Sequence, residues 1–122
     1  AAGGRLPIVL ANVNRALGPP WNIWVDQTDS LAQRDTGWIQ FYCESNQEVL
    51  DMVIQSYRLA EQVMLPVMIN LDAFFLSHPS EPVAIPKQDL VDQFLPPYQP
   101  KFRMDEKEPH AFGGLGGPDV YM

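Results

Sequence analysis

The stretch "WIQFYCESNQEVLDMVIQSYRLAEQVMLPVMINL", residues 38–71, decides the fold because an amphipathic helix pattern separates two short apolar runs. Ser45, followed three residues later by Glu48, forms a capping-box pattern, which marks the start of a helix. This helix is expected to end near Gln62, because Pro66 disfavours helix in the residue before it. The stretch therefore predicts one strand–helix–strand unit with a right-handed crossover and two parallel strands. Apolar side chains mark the helix face: Val49, Val53, Tyr57, Ala60 and Met64.

Outward from this unit, further short apolar runs predict more strands. None shows strict polar alternation, which is typical of strands covered by helices on both faces. A second short helix is predicted at Gln88–Phe94, before Pro96 and Pro97. Five strands are predicted in all: Ile8–Asn12, Asn22–Asp26, Ile39–Cys43, Val67–Leu71 and Val83–Ile85.

These elements predict an α/β fold, part of a doubly wound and mostly parallel sheet, over residues 1–86. Residues 87–122 are predicted to form an extended tail, rich in proline and glycine, that packs on this domain or on a partner subunit. Within the tail, "GGLGGPD" at 113–119 is interpreted as a flexible turn, since a phosphate-binding loop must open a helix and Pro118 follows instead.

Composition excludes several classes of protein. The net charge is −7 and the eight Lys and Arg residues are scattered, so nucleic acid and anionic membranes are poor partners. No apolar run reaches the roughly 18 residues of a membrane span. The single cysteine, Cys43, lies in an apolar run, which indicates a small core residue and a reducing cytoplasm. Residues 1–5 contain no initiating Met and no signal-peptide pattern, so we interpret the chain as a piece of a longer protein.

Arg15 is the leading candidate for substrate binding. It follows the apolar run at residues 8–11 and precedes a Gly-Pro-Pro turn. A guanidinium at the end of a buried strand can bind a substrate carboxylate through two parallel hydrogen bonds. The alternative is a structural salt bridge to Asp26, Asp29 or Asp35, and the sequence leaves both interpretations open.

Two carboxylates, Asp26 and Asp29, follow the second apolar run. They could hold a divalent cation or a catalytic water, but an Asx-type turn that satisfies backbone donors is favoured. Arg34 lies beside Asp35, so local pairing is expected there. The pattern predicts neither a nucleophile with its base nor metal-ligand spacing, and we assign no catalytic residue and no metal ligand.

The chain resembles the alpha chain of pyruvate:ferredoxin oxidoreductases, also called pyruvate synthases. The resemblance rests on "NRALGPPWNIWVDQTDSLAQRDTGWIQFYCESNQEVLDMVIQSYRLAE" (14–61), on "LPVMINLDAFFLSH" (65–78) and on the tail "PHAFGGLGGPDVYM" (109–122). Several motifs in one order make it specific. It implies part of the domain that holds the pyrimidine side of thiamine diphosphate, with the arginine of the "RAL" motif, here Arg15, on the substrate carboxylate.

The resemblance also implies cofactors and partners. The family oxidises a 2-oxo acid, transfers the acyl group to coenzyme A, and passes electrons through [4Fe-4S] clusters to ferredoxin, reversibly and in anaerobic metabolism. Thiamine diphosphate with Mg²⁺ would be bound mostly by other parts of the enzyme, and the clusters and coenzyme A by other subunits or domains. The chain alone is expected to be inactive. Asp26, Gln27, Asp29 and Arg34 would then shape the pocket or a subunit contact.

Two alternatives stay open. Pyruvate is the expected substrate, but the wider family also takes 2-oxoglutarate, 2-oxoisovalerate, indolepyruvate and oxalate, and discrimination depends on pocket side chains. The second alternative is a non-catalytic α/β module whose aromatic, proline-rich tail binds another subunit.

Overall fold

The computed structural model describes residues 1–18, 20, 23–101 and 103–109. Over these residues the fold is α/β, as predicted, with a three-stranded sheet and helices of four to 18 residues. A short 3-10 turn at Ala2–Gly4 precedes the first strand. The strands are β1 (Val9–Asn14), β2 (Ile39–Cys43) and β3 (Val67–Asp72), and the helices are α1 (Thr28–Leu31), α2 (Asn46–Val63) and α3 (Gln88–Phe94).

All three strands are parallel, and β3 lies between β1 and β2. The register places Asn70 opposite both Asn12 and Tyr42. Strand β2, helix α2 and strand β3 form the strand–helix–strand unit that the sequence predicts, with the two strands adjacent. Strand β1 joins on the far side of β3, so residues distant in sequence meet at one end of the sheet.

Helix α2 begins and ends where its sequence signals lie. Ser45 has an extended backbone and its hydroxyl accepts a hydrogen bond from the Glu48 N–H at 3.2 Å. The Glu48 carboxylate accepts at 2.8 Å from the N–H of Glu44, one residue before the position a capping box uses. At the other end Met64 takes a left-handed conformation, with φ 55°, and Pro66 then opens β3. The predicted boundaries are confirmed to within one residue.

The two faces of the sheet differ in chemistry. Because side chains alternate along a strand, the face with Ile69 and Cys43 is apolar and packs against α2. The opposite face becomes polar towards the strand ends, where Asn12, Asn70 and Tyr42 lie side by side in register. Helix α1 packs near β1 on this polar face through side-chain hydrogen bonds. Helices on opposite faces fit a doubly wound arrangement.

Two predicted strands are wrong. Residues 23–26, the described part of the second predicted strand, have no strand structure, because β1 pairs directly with β3 and the Asp26 carboxylate turns the chain towards Thr28. Residues 83–85 also form no strand. The side chain of Gln47, in the first turn of α2, binds the backbone of Ala84 instead, with Ala84 N–H donating at 2.6 Å and Ala84 C=O accepting at 3.3 Å. That backbone therefore has no ladder partner.

The short helix predicted at Gln88–Phe94 is confirmed as α3. The Arg58 guanidinium lies over the Phe94 ring, 4.7 Å from its centroid, and donates to the Phe94 carbonyl. The Tyr98 hydroxyl contacts the sulfur of Met64 at 3.7 Å. Residues 102 and 110–122 lie outside the described part, with the predicted turn at 113–119, and the domain boundary after residue 86 stays a prediction. Within the described residues, every helix is too short or too polar to cross a bilayer.

The central strand gives a test of the core. Ile69 is fully buried, whereas Ile85 is 80% exposed. We expect Ile69→Ala to destabilise the domain by about 2–5 kcal/mol through lost contacts and a residual cavity. The control, Ile85→Ala, makes the same chemical change and should alter stability by less than about 0.5 kcal/mol. Hydrogen exchange of the β3 amides in the intact protein measures both, and equal protection in the two variants would contradict this core.

Candidate functional site

Polar side chains gather at the carboxyl ends of the three parallel strands. Strand β1 ends at Asn14 and β3 at Asp72, and the loop that contains α1 folds against the same end. Ligands of open parallel sheets bind in the crevice outside these strand ends. These polar side chains therefore lie where folds with a parallel sheet commonly bind a ligand.

Arg15 is the residue directly after β1 and is half-buried. Its Nη1 atom is buried and has no hydrogen-bond partner among the described residues. Among the described residues, Arg15 forms none of the salt bridges to Asp26, Asp29 or Asp35 that the sequence left open. Asp29 accepts from the backbone N–H of Arg15 at 3.0 Å, while Asp35 pairs with Arg34 at 3.1 Å. The guanidinium thus keeps a donor for an anion, which suits the substrate-binding alternative.

Asp29 connects the end of β1 to α1. Its Oδ1 accepts from the Asn14 side-chain amide at 2.8 Å and from the Ser30 N–H at 2.7 Å. Its Oδ2 accepts from the Arg15 N–H at 3.0 Å and, at 3.5 Å, from the Asn12 amide. Partial burial raises the pKa of this carboxyl, but the donors together lower the pKa below its ordinary value. Asp29 is therefore held as an anion.

A hydrogen-bond chain crosses the polar face beneath these residues. The amide of fully buried Asn14 donates to the Ser30 hydroxyl at 2.8 Å, and the Tyr42 hydroxyl donates to the same oxygen at 2.9 Å. Asn12 donates to Asn70 across the two strands at 2.9 Å, and Asn70 donates to the Phe41 carbonyl at 3.1 Å. These residues are not among the candidates predicted from the sequence. Their signal was asparagine at alternate positions of an apolar strand, which indicates a polar row on one face.

The remaining loop residues act locally in this structure. The Asp26 carboxylate accepts from the backbone N–H of Thr28 at 2.6 Å and from its hydroxyl, the Asx-type turn that the sequence favours. These bonds lower the pKa of Asp26. The backbone carbonyl of Gln27 accepts from Ser30. Arg34 and Asp35 form an exposed ion pair. A role of Asp26, Gln27, Asp29 and Arg34 in a pocket or subunit contact stays a prediction.

The charge of the Arg15 guanidinium suits an anionic ligand. Within the described residues, no three His, Cys, Asp or Glu side chains are placed to share a metal ion. One guanidinium with a free donor matches a single carboxylate in charge and shape. Arg15 is accordingly considered below as a carboxylate ligand.

Cys43 lies at the end of β2 and belongs to the apolar core. It is 7% exposed and packs with Ile69 and Leu76. Burial, with a smaller contribution from the Glu48 carboxylate, raises the pKa of its thiol to about 11. A thiol that stays protonated at neutral pH is a poor nucleophile, and the interpretation of Cys43 as a core residue is confirmed.

The parallel sheet, its covering helices and the arginine directly after β1 define an α/β domain with a polar cluster at the strand ends. Comparison with known proteins then identifies the family. The model of the family described as "Pyruvate flavodoxin/ferredoxin oxidoreductase, thiamine diP-bdg" matches residues 1–122, and the chain belongs to this family.

Individual relatives carry two kinds of name. A ketoisovalerate oxidoreductase subunit VorA from Pyrococcus horikoshii is 57% identical over 122 residues, covering 99% of this chain and 31% of the relative. A pyruvate synthase subunit PorA from Methanothermobacter thermautotrophicus is 55% identical over 124 residues, covering 100% of this chain and 32% of the relative. Another PorA, from Methanocaldococcus jannaschii, is 54% identical over 125 residues, with the same coverage. The chain spans about a third of the length of these relatives.

The hydrogen bonds of Asp29 predict a pH dependence. Because folding lowers the pKa of this carboxyl, the folded protein binds its proton less readily than the unfolded chain. Asp29 therefore contributes stability above its unfolded pKa, and this contribution is lost as the pH falls through the lowered folded value. Thermal unfolding of the intact protein and of Asp29→Asn should differ more at pH 7 than at pH 3. A difference that is independent of pH would contradict the ionised state.

The thiol of Cys43 predicts slow alkylation. With its pKa raised to about 11, the thiolate fraction at pH 8 is far smaller than in an unfolded chain, where cysteine titrates near pH 8.5. We expect iodoacetamide to label the folded protein at least about a hundredfold more slowly than the urea-unfolded protein. Mass spectrometry of the peptide that contains Cys43 measures both rates. Similar rates would show that the thiol is exposed and ionised.

Proposed function

We propose that this chain is part of the alpha chain of a 2-oxo acid:ferredoxin oxidoreductase, and that Arg15 binds the carboxylate of the substrate. The reaction oxidatively decarboxylates the 2-oxo acid and yields an acyl-coenzyme A. Membership of the family and the names of the relatives support the class of reaction. The observation that supports its role is that the buried Nη1 of Arg15 has no hydrogen-bond partner among the residues that the structure describes.

The reaction involves the substrate, coenzyme A, ferredoxin and the cofactors of the enzyme. The bond between C1 and C2 breaks to release CO2, the coenzyme A thiol takes the acyl group and loses its proton, and two electrons pass to ferredoxin. Thiamine diphosphate, when bound, supplies the nucleophilic carbon and the electron sink. Other parts of the enzyme supply the iron–sulfur clusters and the coenzyme A site.

Arg15 would contribute binding and orientation. A guanidinium offers two parallel N–H donors to the two oxygens of a carboxylate, which fixes the plane of C1 and therefore the direction of the 2-carbonyl. Holding the carbonyl in one orientation reduces the entropic cost of the attack on C2. The Nη1 donor is buried and lacks a partner in the described part of the chain, so a carboxylate that reached it would satisfy a desolvated group.

The substrate is proposed to be a short 2-oxo monoacid. Pyruvate is the first candidate and 2-oxoisovalerate is the second, because the relatives named for them are similarly close, at 55% identity for the pyruvate synthase subunit and 57% for the ketoisovalerate oxidoreductase subunit. Both share the carboxylate and 2-carbonyl that Arg15 would orient. They differ only in an aliphatic group, and a hydrophobic pocket discriminates such groups by about 1–3 kcal/mol for each methylene.

Replacing Arg15 tests the proposal. In the intact enzyme, Arg15→Ala should lower kcat/KM for the 2-oxo acid by roughly thirtyfold to a thousandfold, equivalent to about 2–4 kcal/mol of lost charge-assisted binding. The KM for coenzyme A should not change. The assay is anaerobic, 2-oxo acid-dependent reduction of a low-potential viologen, with pyruvate and 2-oxoisovalerate compared.

Arg34 supplies the matched control. It is another arginine near the site, but its side chain is exposed and paired with Asp35. Arg34→Ala should leave kcat/KM within about twofold, as expected for an exposed ion pair. If Arg15→Ala assembles normally and keeps full turnover, the carboxylate role is wrong. If no 2-oxo acid supports reduction by the loaded wild-type enzyme, the chain is a non-catalytic interaction module instead.

A further inference from the structure

The backbone of Arg15 is held by an unusually occupied carboxylate. Each oxygen of Asp29 accepts from two N–H donors, and one of these donors is the N–H of Arg15 itself, 3.0 Å from Oδ2. The others come from Asn12, Asn14 and Ser30. These four donors belong to β1, to the residue after it and to α1. A single side chain therefore sets how the loop meets the strand end.

This contact acts where the chain leaves the sheet. Arg15 is the first residue beyond β1, so no strand pairing fixes its conformation. The hydrogen bond to its N–H supplies that constraint instead, one bond away from the Cα that bears the guanidinium. Any shift of the Arg15 backbone moves the side chain, and displacements near 1 Å in a binding group can reduce turnover by about two orders of magnitude.

We infer that Asp29 is a positioning residue for the anion subsite of Arg15, an inference that rests on the proposed function. Asp29 acts through the backbone of Arg15, and among the described residues the buried Nη1 of the guanidinium has no hydrogen-bond partner. The four N–H donors offset its negative charge, which limits the repulsion of an incoming substrate carboxylate. With both oxygens occupied by donors, Asp29 serves geometry rather than proton transfer.

The hydrogen-bond pattern makes asparagine a severe replacement at this position. In Asp29→Asn, whichever way the amide turns, its NH2 group faces two N–H donors that previously met an oxygen. At least two hydrogen bonds are lost and donors are brought together. Asp92 offers the matched control, because it lies on α3, outside the site, and among the described residues only its Oδ1 accepts a hydrogen bond, from the Gln88 side chain at 2.8 Å, which an asparagine can keep.

The test is a double-mutant cycle in the intact enzyme, with viologen reduction as the assay. Asp29→Asn should raise KM for the 2-oxo acid and lower its kcat/KM by between about tenfold and a hundredfold, while KM for coenzyme A stays unchanged. Asp92→Asn should stay within about twofold. In the Arg15→Ala background, adding Asp29→Asn should cost less than about threefold, because the group that it positions is already absent.

The outcomes separate the inference from the proposed function. If Arg15→Ala has no effect, the proposed function fails, and this inference with it. If Arg15→Ala is impaired but the two changes multiply independently, or Asp29→Asn affects all substrates equally, only the positioning role is overturned. Should Asp29→Asn fail to assemble, Asp29→Glu keeps the charge and both acceptors but displaces them by one methylene, and the same rise in KM and the same non-additivity with Arg15→Ala are expected.

Discussion

Strand β3 is hydrogen-bonded on both edges, and this double pairing determines what meets at the end of the sheet. Both pairings begin at the start of β3. The Ile39 N–H donates to the carbonyl of Pro66, the residue before the strand, at 3.0 Å, and the Val67 N–H donates to the Ile8 carbonyl at 2.8 Å. Parallel pairing then holds a single register, because a slip of one residue would turn apolar side chains away from α2. This register brings polar side chains from three separate segments together at the carboxyl end of the sheet. The end of β1 and helix α1 lie at the same end.

The electrostatics at this end of the sheet depend on which hydrogen-bond donors pair with the carboxylates. The chain carries a net charge of −7, so a cation near several carboxylates is expected to pair with one of them. The structure directs the carboxylates elsewhere. Asp29 is occupied by N–H donors, Asp26 by Thr28, and Asp35 by Arg34. In the described part of the chain, the buried Nη1 donor of Arg15 is left without a hydrogen-bond partner, which is costly for stability.

Local signals made much of the fold predictable. The cap at Ser45, the break at Pro66 and the short pattern of α3 lie within a few residues of the elements that they define. The strand predicted at residues 83–85 does not form, because the Gln47 side chain binds this backbone in place of a neighbouring strand. No local sequence pattern shows such a tertiary contact. For the site, the position of Arg15 after a strand was predictable. The lack of a salt bridge between Arg15 and the nearby Asp side chains of the described residues was not predictable. It depends on the hydrogen bond between Asn14 and Asp29, which are 15 residues apart.

The order of the strands also bears on how the domain assembles. Strands β2 and β3 and helix α2 are contiguous in residues 39–72, whereas Asn12 reaches Asn70 across 58 residues. Closing that longer loop costs more chain entropy, so β1 is expected to dock after the compact unit has formed and to detach before it. A segment on the periphery of the cooperative unit thus bears Arg15. An anion that binds only the docked form would therefore favour attachment of β1, which couples occupancy of the subsite to completion of the sheet.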